Sequence, residues 1–206
     1  MNLRIIIVCL VFQWGSSLSG QDLSYAPDMV FGHRSITYKH SLNYKLSPQL
    51  RLNNLILFDT EYNNDENNIY FIRNTASLWL AKGLSANLAF GVKNPGSFGT
   101  FSLGVQTNSS NFSLGYTAGS TYQNGFSFEQ ALLLNYTPNL IWNIRGYVNL
   151  LATANIGRKG YIRGLQQLRI GMTNQGLNFG LAVNLDQFSN AQKTLENIGV
   201  FMNYKF

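Results

Sequence analysis

Apolar and polar residues alternate along the chain from Leu23 onward. The clearest segment is 84–93, where every second residue is apolar and the residues between are small or polar: Leu84, Ala86, Leu88, Phe90 and Val92 against Ser85, Asn87, Ala89 and Gly91. A period of two places such side chains on opposite faces of a β-strand. After the N-terminal segment no stretch has a clear helical period, so the pattern predicts an all-β protein.

Turn-forming residues separate eleven such segments, and Pro48, Pro95 and Pro138 all fall between segments rather than inside them. The segments are 33–46, 49–62, 70–82, 84–93, 98–107, 112–122, 126–137, 140–153, 161–173, 177–187 and 195–206. A twelfth candidate, 23–31, also alternates but contains Pro27, which weakens a strand ladder. The sequence therefore predicts a succession of antiparallel strands joined by short links.

The composition favours a membrane barrel over a soluble β-sandwich or lipocalin-like barrel. Charged residues make up 12% of the chain and aromatic residues 14%, whereas about a quarter of a typical soluble chain is charged. The polar face thus lacks the Lys and Glu that soluble sheets use for solubility. Aromatic girdles are expected at both bilayer interfaces, and the candidates are Tyr44, Tyr136, Trp142 and Tyr204 at one end and Phe58, Tyr70, Phe90 and Phe128 at the other.

A sheet that crosses lipid must close on itself, since an open edge leaves unpaired amides in hydrocarbon. Single-chain bacterial barrels have an even number of strands. The sequence therefore predicts an antiparallel up-and-down transmembrane β-barrel of about twelve strands, with ten as the alternative. A helical membrane protein is excluded, because no apolar run of about 18 residues occurs after the N-terminal segment.

The first 20 residues have the pattern of a secretory signal peptide. Arg4 precedes the apolar stretch 5–14, and small and polar residues follow it. We expect cleavage before Gln21, which makes 1–20 the signal peptide and 21–206 the barrel domain. The only cysteine, Cys9, lies in the signal peptide, so no disulfide is expected. The net charge of +6 is too small and too evenly spread to indicate nucleic-acid binding.

The last segment alternates up to a final aromatic residue, with Ile198, Val200, Met202, Tyr204 and Phe206 on one face. It resembles the C-terminal strand of bacterial outer-membrane β-barrels, in which a terminal Phe is read by the barrel-assembly machinery. The chain as a whole is similar to small Gram-negative barrels, and its Asn-rich style to those of Bacteroidota, without a motif of one characterised family. The resemblance implies an outer-membrane location and Phe206 as the assembly signal. It also implies three partners, namely outer-membrane lipid, lipopolysaccharide and the assembly machinery.

The lengths of the links suggest an orientation for the barrel. Counted back from the C-terminus, 188–194 is long, 174–176 short, 154–160 long and 137–139 short. Outer-membrane barrels have short periplasmic turns and longer extracellular loops. The pattern therefore predicts that both chain ends lie on the periplasmic side.

The polar face carries ionisable residues that would point into the lumen. The acidic candidates are Asp59, Glu61, Glu129 and Asp186, and the basic candidates are Lys45, Arg51, Arg73, Lys93, Arg145, Arg163 and Arg169. The acids and the bases at their level are expected to pair. The lower bases Lys45, Arg51, Arg169 and Lys205 are expected to lack acidic partners and to form a basic constriction.

Two functional interpretations of this lumen stay open. Inward Phe71, Trp79, Tyr147 and Phe201 would fill much of it, which favours a structural barrel with a partly filled interior. A small porin-like channel is the other interpretation, and the basic ring would then give weak anion preference. An accessory or scaffold protein of secretion or assembly is a further alternative.

A lipid-modifying outer-membrane enzyme is the least favoured alternative. His33 could pair with Asp59 or Glu61 on the next strand, whereas His40 falls on the lipid face. No nucleophile motif surrounds any Ser, so no catalytic residue is assigned and the chain is expected not to be an enzyme. Cofactors and metals are not expected either, because the two histidines lie on opposite faces and Cys9 is removed.

Overall fold

The computed structural model describes residues 23–140, 144–189 and 192–206. The proposed signal peptide and Trp142 lie outside these residues. Twelve antiparallel strands close into a barrel, which confirms the predicted fold and the larger strand number. The strands are β1 (Leu23–Gly32), β2 (Ser35–Lys45), β3 (Leu50–Glu61), β4 (Ile69–Ala81), β5 (Leu84–Lys93), β6 (Gly96–Asn108), β7 (Phe112–Tyr122), β8 (Phe126–Tyr136), β9 (Arg145–Gly157), β10 (Gly160–Asn174), β11 (Leu177–Phe188) and β12 (Lys193–Tyr204).

Each strand pairs with its neighbours in sequence, and β1 pairs with β12 to close the wall. This closing seam runs from Asp28↔Asn203 to Gly32↔Gly199 and is shorter than the β1–β2 ladder, which runs from Leu23↔Tyr44 to Phe31↔Ile36. A short 3-10 helix, Asp65–Asn67, follows β3. Among the described residues, no helix has the length and apolar character needed to cross a membrane.

The distribution of side chains is inverted relative to a soluble protein. The best-buried side chains include Arg169, Gln167, Asn197 and Thr121, while large apolar side chains such as Leu181 are more than half exposed. Exposed apolar surface on this scale needs a non-aqueous surrounding. The outer face therefore fits hydrocarbon, and the polar side chains line the lumen.

The two ends of the barrel are named here by the chain termini. The terminal rim carries Leu23, Phe206 and the links 46–49, 82–83, 109–111, 137–144 and 175–176. The distal rim carries the links 33–34, 62–68, 94–95, 123–125, 158–159 and 189–192.

The predicted contrast between long and short links is wrong. The longest link of the terminal rim is 137–144 and that of the distal rim is 62–68, so the two rims are similar in this respect. The error arises at both ends of β9, which begins at Arg145 instead of residue 140 and ends at Gly157 instead of residue 153, so that the link predicted as 154–160 is only 158–159. The described backbone on either side of residues 141–143 pairs with itself, since Leu140 N donates to Ile144 O at 2.9 Å and Gly146 N donates to Pro138 O at 2.8 Å.

Aromatic side chains fill part of the lumen. Phe71 and Phe98 stack with ring centroids 5.5 Å apart, and Tyr147 and Phe201 pack at 5.7 Å. Phe201 also packs with Val30 and Ala182 in a small buried cluster. Tyr147 and Phe201 come from β9 and β12, which are separated by two strands in the wall, so their contact crosses the interior.

Candidate functional site

An ion cluster lies inside the distal rim. Arg34 binds both Asp59 and Glu61, the latter at 3.4 Å between Nη1 and Oε1. Ser35 and Thr37 donate hydroxyl hydrogen bonds to Asp59 as well. Strand alternation places the two acids on the polar face, but it assigns no face to Arg34, because this residue lies in the turn 33–34.

His33 does not reach the acids with which it was expected to pair. Its Nδ1 contacts the backbone of Ile198 instead, and Ile198 N lies 3.0 Å away. Arg34 occupies the position beside Asp59 and Glu61 that a catalytic histidine would need. The hypothetical His33–carboxylate pair is therefore not formed.

Two further ion pairs lie in the lumen below this cluster. Arg73 Nη1 and Glu129 Oε1 are 2.7 Å apart although they come from β4 and β8, which are separated by three strands. Thr121 also donates to Glu129 at 3.1 Å. Arg163 binds Asp186 on the adjacent strand through two nitrogens, with Nε 2.9 Å from Oδ1.

A third cluster corrects the expectation that Arg169 has no acidic partner. Asp28 Oδ2 lies 3.5 Å from Arg169 Nε and 4.0 Å from Lys39 Nζ. Lys39 also donates to Gln167 Oε1 at 2.9 Å, across three intervening strands. Asp28 was missed because it follows Pro27, which had weakened the assignment of faces in this segment. Arg169 is thus a fully buried member of the lumen and not of an open basic ring.

The remaining lumen bases have no ion pair with any described carboxylate. Lys93 Nζ lies 4.9 Å from the centre of the Phe98 ring, and the Arg51 guanidinium lies 5.0 Å from that of Trp79. Arg145 donates to the Thr137 hydroxyl at 2.9 Å. Lys45 and Lys205 are exposed. Together with Arg51 and Arg145, these lysines make the terminal rim basic.

The aromatic girdle candidates that the structure describes lie on the outer face near the strand ends. Phe58, Tyr70, Phe90 and Phe128 are near the distal rim, and Tyr44, Tyr136 and Tyr204 are near the terminal rim. Phe112 pairs with Tyr136, and Tyr122 with Phe126, at ring distances of 6.5 and 5.1 Å. These pairs place aromatic rings at both ends of the apolar outer face.

The terminal phenylalanine and His40 share a patch on the outer face. Phe206 N donates to Tyr25 O at 2.9 Å, and its ring packs against Tyr25 and Tyr204. The Tyr38 hydroxyl lies 2.9 Å from both the Tyr25 hydroxyl and His40 Nδ1. His40 Nδ1 is therefore hydrogen-bonded within this patch on the lipid-facing surface.

The described residues contain no group of three or more His, Cys, Asp or Glu side chains that could hold a metal ion.

The geometry defines a transmembrane β-barrel of the bacterial outer membrane. An even number of antiparallel strands, an apolar belt between aromatic ends and a polar interior are the features of that class. No protein-family model matches the chain, and no curated protein matches its sequence.

Several solved barrels have similar structures. LpxR from Salmonella typhimurium has 10% sequence identity, a TM-score of 0.46, and coverage of 88% of this chain and 99% of LpxR. OmpT, an outer membrane protein of Vibrio cholerae, has 9% identity, a TM-score of 0.36, and coverage of 89% and 98%. OmpF of Salmonella typhi, in complex with daunomycin, has 8% identity, a TM-score of 0.39, and coverage of 90% and 97%.

One expectation from the sequence is corrected by this comparison. The chain was expected not to be an enzyme, but outer-membrane enzymes, LpxR among them, are found among the barrels that it resembles. The similarity assigns no reaction to this chain.

Proposed function

We propose that this protein is an outer-membrane barrel whose lumen is closed by its own side chains, and that it interacts with lipid and other partners through its outer face and rims. The observation that carries the proposal is the burial of Arg169 and Gln167, which point into the lumen and are each 1% exposed. A water-filled channel would leave such inward polar groups in contact with solvent.

Contacts across the lumen support the closed state. The pairs Arg73–Glu129, Lys39–Gln167 and Arg169–Asp28 each join strands that are not neighbours in the wall. Such pairs lose much of their attraction when water enters, because its dielectric constant is high. Protein groups thus occupy the space that a solute would need.

A narrow, anion-preferring channel is the second candidate function. The basic terminal rim favours it, since Lys45, Arg51, Arg145 and Lys205 would attract anions to one mouth of the barrel. This candidate requires the lumen clusters to open, at least transiently.

Planar-bilayer recording of the refolded protein distinguishes these two functions. The closed barrel predicts no steady conductance in wild type. Simultaneous replacement of Arg73 and Glu129 by Ala removes one contact across the lumen and is expected to raise the frequency of openings. The matched control replaces Glu66 and Lys159, which are exposed in links of the distal rim. Steady wild-type conductance would contradict closure, and an anion-selective current would establish the second candidate.

Interaction partners follow from the outer-membrane placement. We propose that outer-membrane lipid and lipopolysaccharide contact the belt, and that the barrel-assembly machinery handles the β1–β12 seam during folding. Phe206 supports the second part, because it lies beside that seam and is among the most exposed apolar residues.

A further inference from the structure

Two cationic side chains are directly opposite each other at the terminal rim. Lys45 is the last residue of β2, Arg51 is the second residue of β3, and the ladder pairs them. The next pair towards the turn carries a backbone hydrogen bond from Leu46 N to Leu50 O at 3.0 Å. Lys45 and Arg51 therefore form a non-hydrogen-bonded pair, whose Cα atoms are about 4.5 Å apart. Like charges in such a pair repel, so the arrangement favours a negatively charged ligand between them.

No carboxylate of the described chain neutralises this pair. Neither side chain forms an ion pair with a described acidic group. The next residues on the same face, Asn43 and Asn53, bind each other, with Asn53 Nδ2 2.8 Å from Asn43 Oδ1. Lys45 and Arg51 are both exposed. An anion in the aqueous phase can therefore reach both charges at the mouth of the barrel without passing through the lumen.

A tryptophan side chain supports the Arg51 guanidinium. Arg51 Cζ lies over the Trp79 ring, 5.0 Å from its centre, which is the distance of a cation–π contact. Trp79 lies at a β-bulge, since the register of β4 and β5 shifts between Trp79 and Ala81. Bulges redirect side chains and are common beside binding sites. The contact with the ring face restricts Arg51 while its N–H groups stay available to a ligand.

The chemistry of this pair fits a phosphate group better than a carboxylate. A guanidinium donates two parallel N–H bonds to two oxygens of one phosphate, and an ammonium adds a compact point charge. A phosphomonoester carries a charge of about −1.5 to −2 at pH 7. That charge matches two cations, whereas a carboxylate neutralises only one. Because both side chains lie on the lumen face, a phosphate dissolved in water reaches them more directly than a lipid headgroup outside the wall.

We propose that Lys45, Arg51 and Trp79 form a binding site for the phosphate group of a water-soluble compound at the terminal mouth of the barrel. Arg51 donates to two phosphate oxygens, Lys45 Nζ donates to a third, and the Trp79 ring holds the guanidinium in place. The site lies at the mouth, so it goes beyond the proposed function and does not depend on whether the lumen conducts. A failure of this proposal would leave the closed barrel unaffected.

Isothermal titration calorimetry of the refolded protein in a non-ionic detergent at pH 7.5 tests this site. The probes are glycerol 3-phosphate and glycerate, which carry a phosphate and a carboxylate on similar three-carbon frames. We expect glycerol 3-phosphate to bind about tenfold more tightly than glycerate, because it offers more charge and one more oxygen to the two cations. Dioctanoyl phosphatidic acid presents the same group from a lipid and should bind more weakly than glycerol 3-phosphate. Tighter binding of the lipid, lost in Arg51→Gln, would overturn the soluble ligand and assign the site to a headgroup.

Substitutions separate this site from a general attraction of the basic rim. Arg51→Gln should weaken the binding of glycerol 3-phosphate about tenfold, and Arg51→Lys about threefold, since it keeps the charge but loses the paired donors. The matched control Arg145→Gln removes the same charge from the same rim on β9, across the barrel from β3, and should change the affinity less than about twofold. Unboiled gel migration shows that each variant is folded. Equal affinity for the two probes, or equal losses in Arg51→Gln and Arg145→Gln, would overturn the proposal.

Discussion

At the scale of single residues, Asp28 is the carboxylate that lies near two lumen cations. Its side chain is 6% exposed and lies beside both Arg169 and Lys39. Asp28→Asn removes the charge while keeping the shape, and leaves two buried cations facing each other. We expect a loss of about 3 kcal/mol in the free energy of unfolding, because removing one partner of a buried pair is strongly destabilising.

Urea unfolding in detergent, followed by gel mobility, measures this loss. The control is Glu66→Gln, which neutralises an exposed acid in the 3-10 helix and should change the stability little. Adding Arg169→Gln to Asp28→Asn should restore part of the stability by removing one of the uncompensated cations. Equal unfolding midpoints for Asp28→Asn and the control would show that the cluster does not stabilise the fold.

Residue contacts of this kind were only partly predictable. Alternation assigned Asp59, Glu129, Arg73 and Arg163 to the polar face, and the structure brings them into ion pairs. It could not assign Arg34, which lies in a turn. Periodicity also shows on which face of a strand a residue lies, but not how close two side chains are across the lumen. The pairing of Arg169 with Asp28 therefore became visible only in the closed barrel.

At the scale of strands, β7 contains a matched pair of inward glycines. A Cβ on Gly119 would lie 2.0 Å from Phe101 O and 2.5 Å from Ser102 Cα, both in the backbone of β6, whereas a Cβ on Gly115 would have no atom within 4 Å. Gly119→Ala therefore forces β6 and β7 apart, and we expect a loss of about 2 kcal/mol, as for overpacking. Gly115→Ala should be close to neutral.

Refolding yield and urea midpoint of the two alanine variants test this difference. Both changes add one methyl group to the same face of the same strand, so propensity and hydrophobicity are matched. A Gly115→Ala variant as unstable as Gly119→Ala would mean that the cost comes from the loss of glycine itself and not from the close approach of β6.

Strand boundaries show where local sequence is sufficient. The predicted limits of 84–93 and 112–122 agree with β5 and β7, because strong alternation ends at Gly, Pro or Asn. The limit at residue 140 is wrong, although Leu140 and the apolar residues after it read as a strand. Leu140 N donates to Ile144 O and Gly146 N donates to Pro138 O instead, and tertiary pairing of β8 with β9 decides where the strand begins.

At the scale of the whole molecule, charge is distributed unevenly between the rims. The terminal rim contains Lys45, Arg51, Lys82, Arg145 and Lys205, and none of the described acids lies there. The distal rim mixes both signs, with Asp65, Glu66 and Glu196 near Arg158, Lys159 and Lys193. Since link length does not distinguish the rims, orientation must be measured directly.

Single cysteines at two matched turns give that measurement. Lys82 and Lys159 are both exposed lysines in two-residue links, at the terminal and the distal rim respectively. In a Cys9→Ser background, a membrane-impermeant maleimide should label Lys159→Cys in intact cells, and Lys82→Cys only after the outer membrane is opened. This result follows if the basic terminal rim faces the periplasm. The reverse labelling pattern would place the basic rim and both chain ends outside.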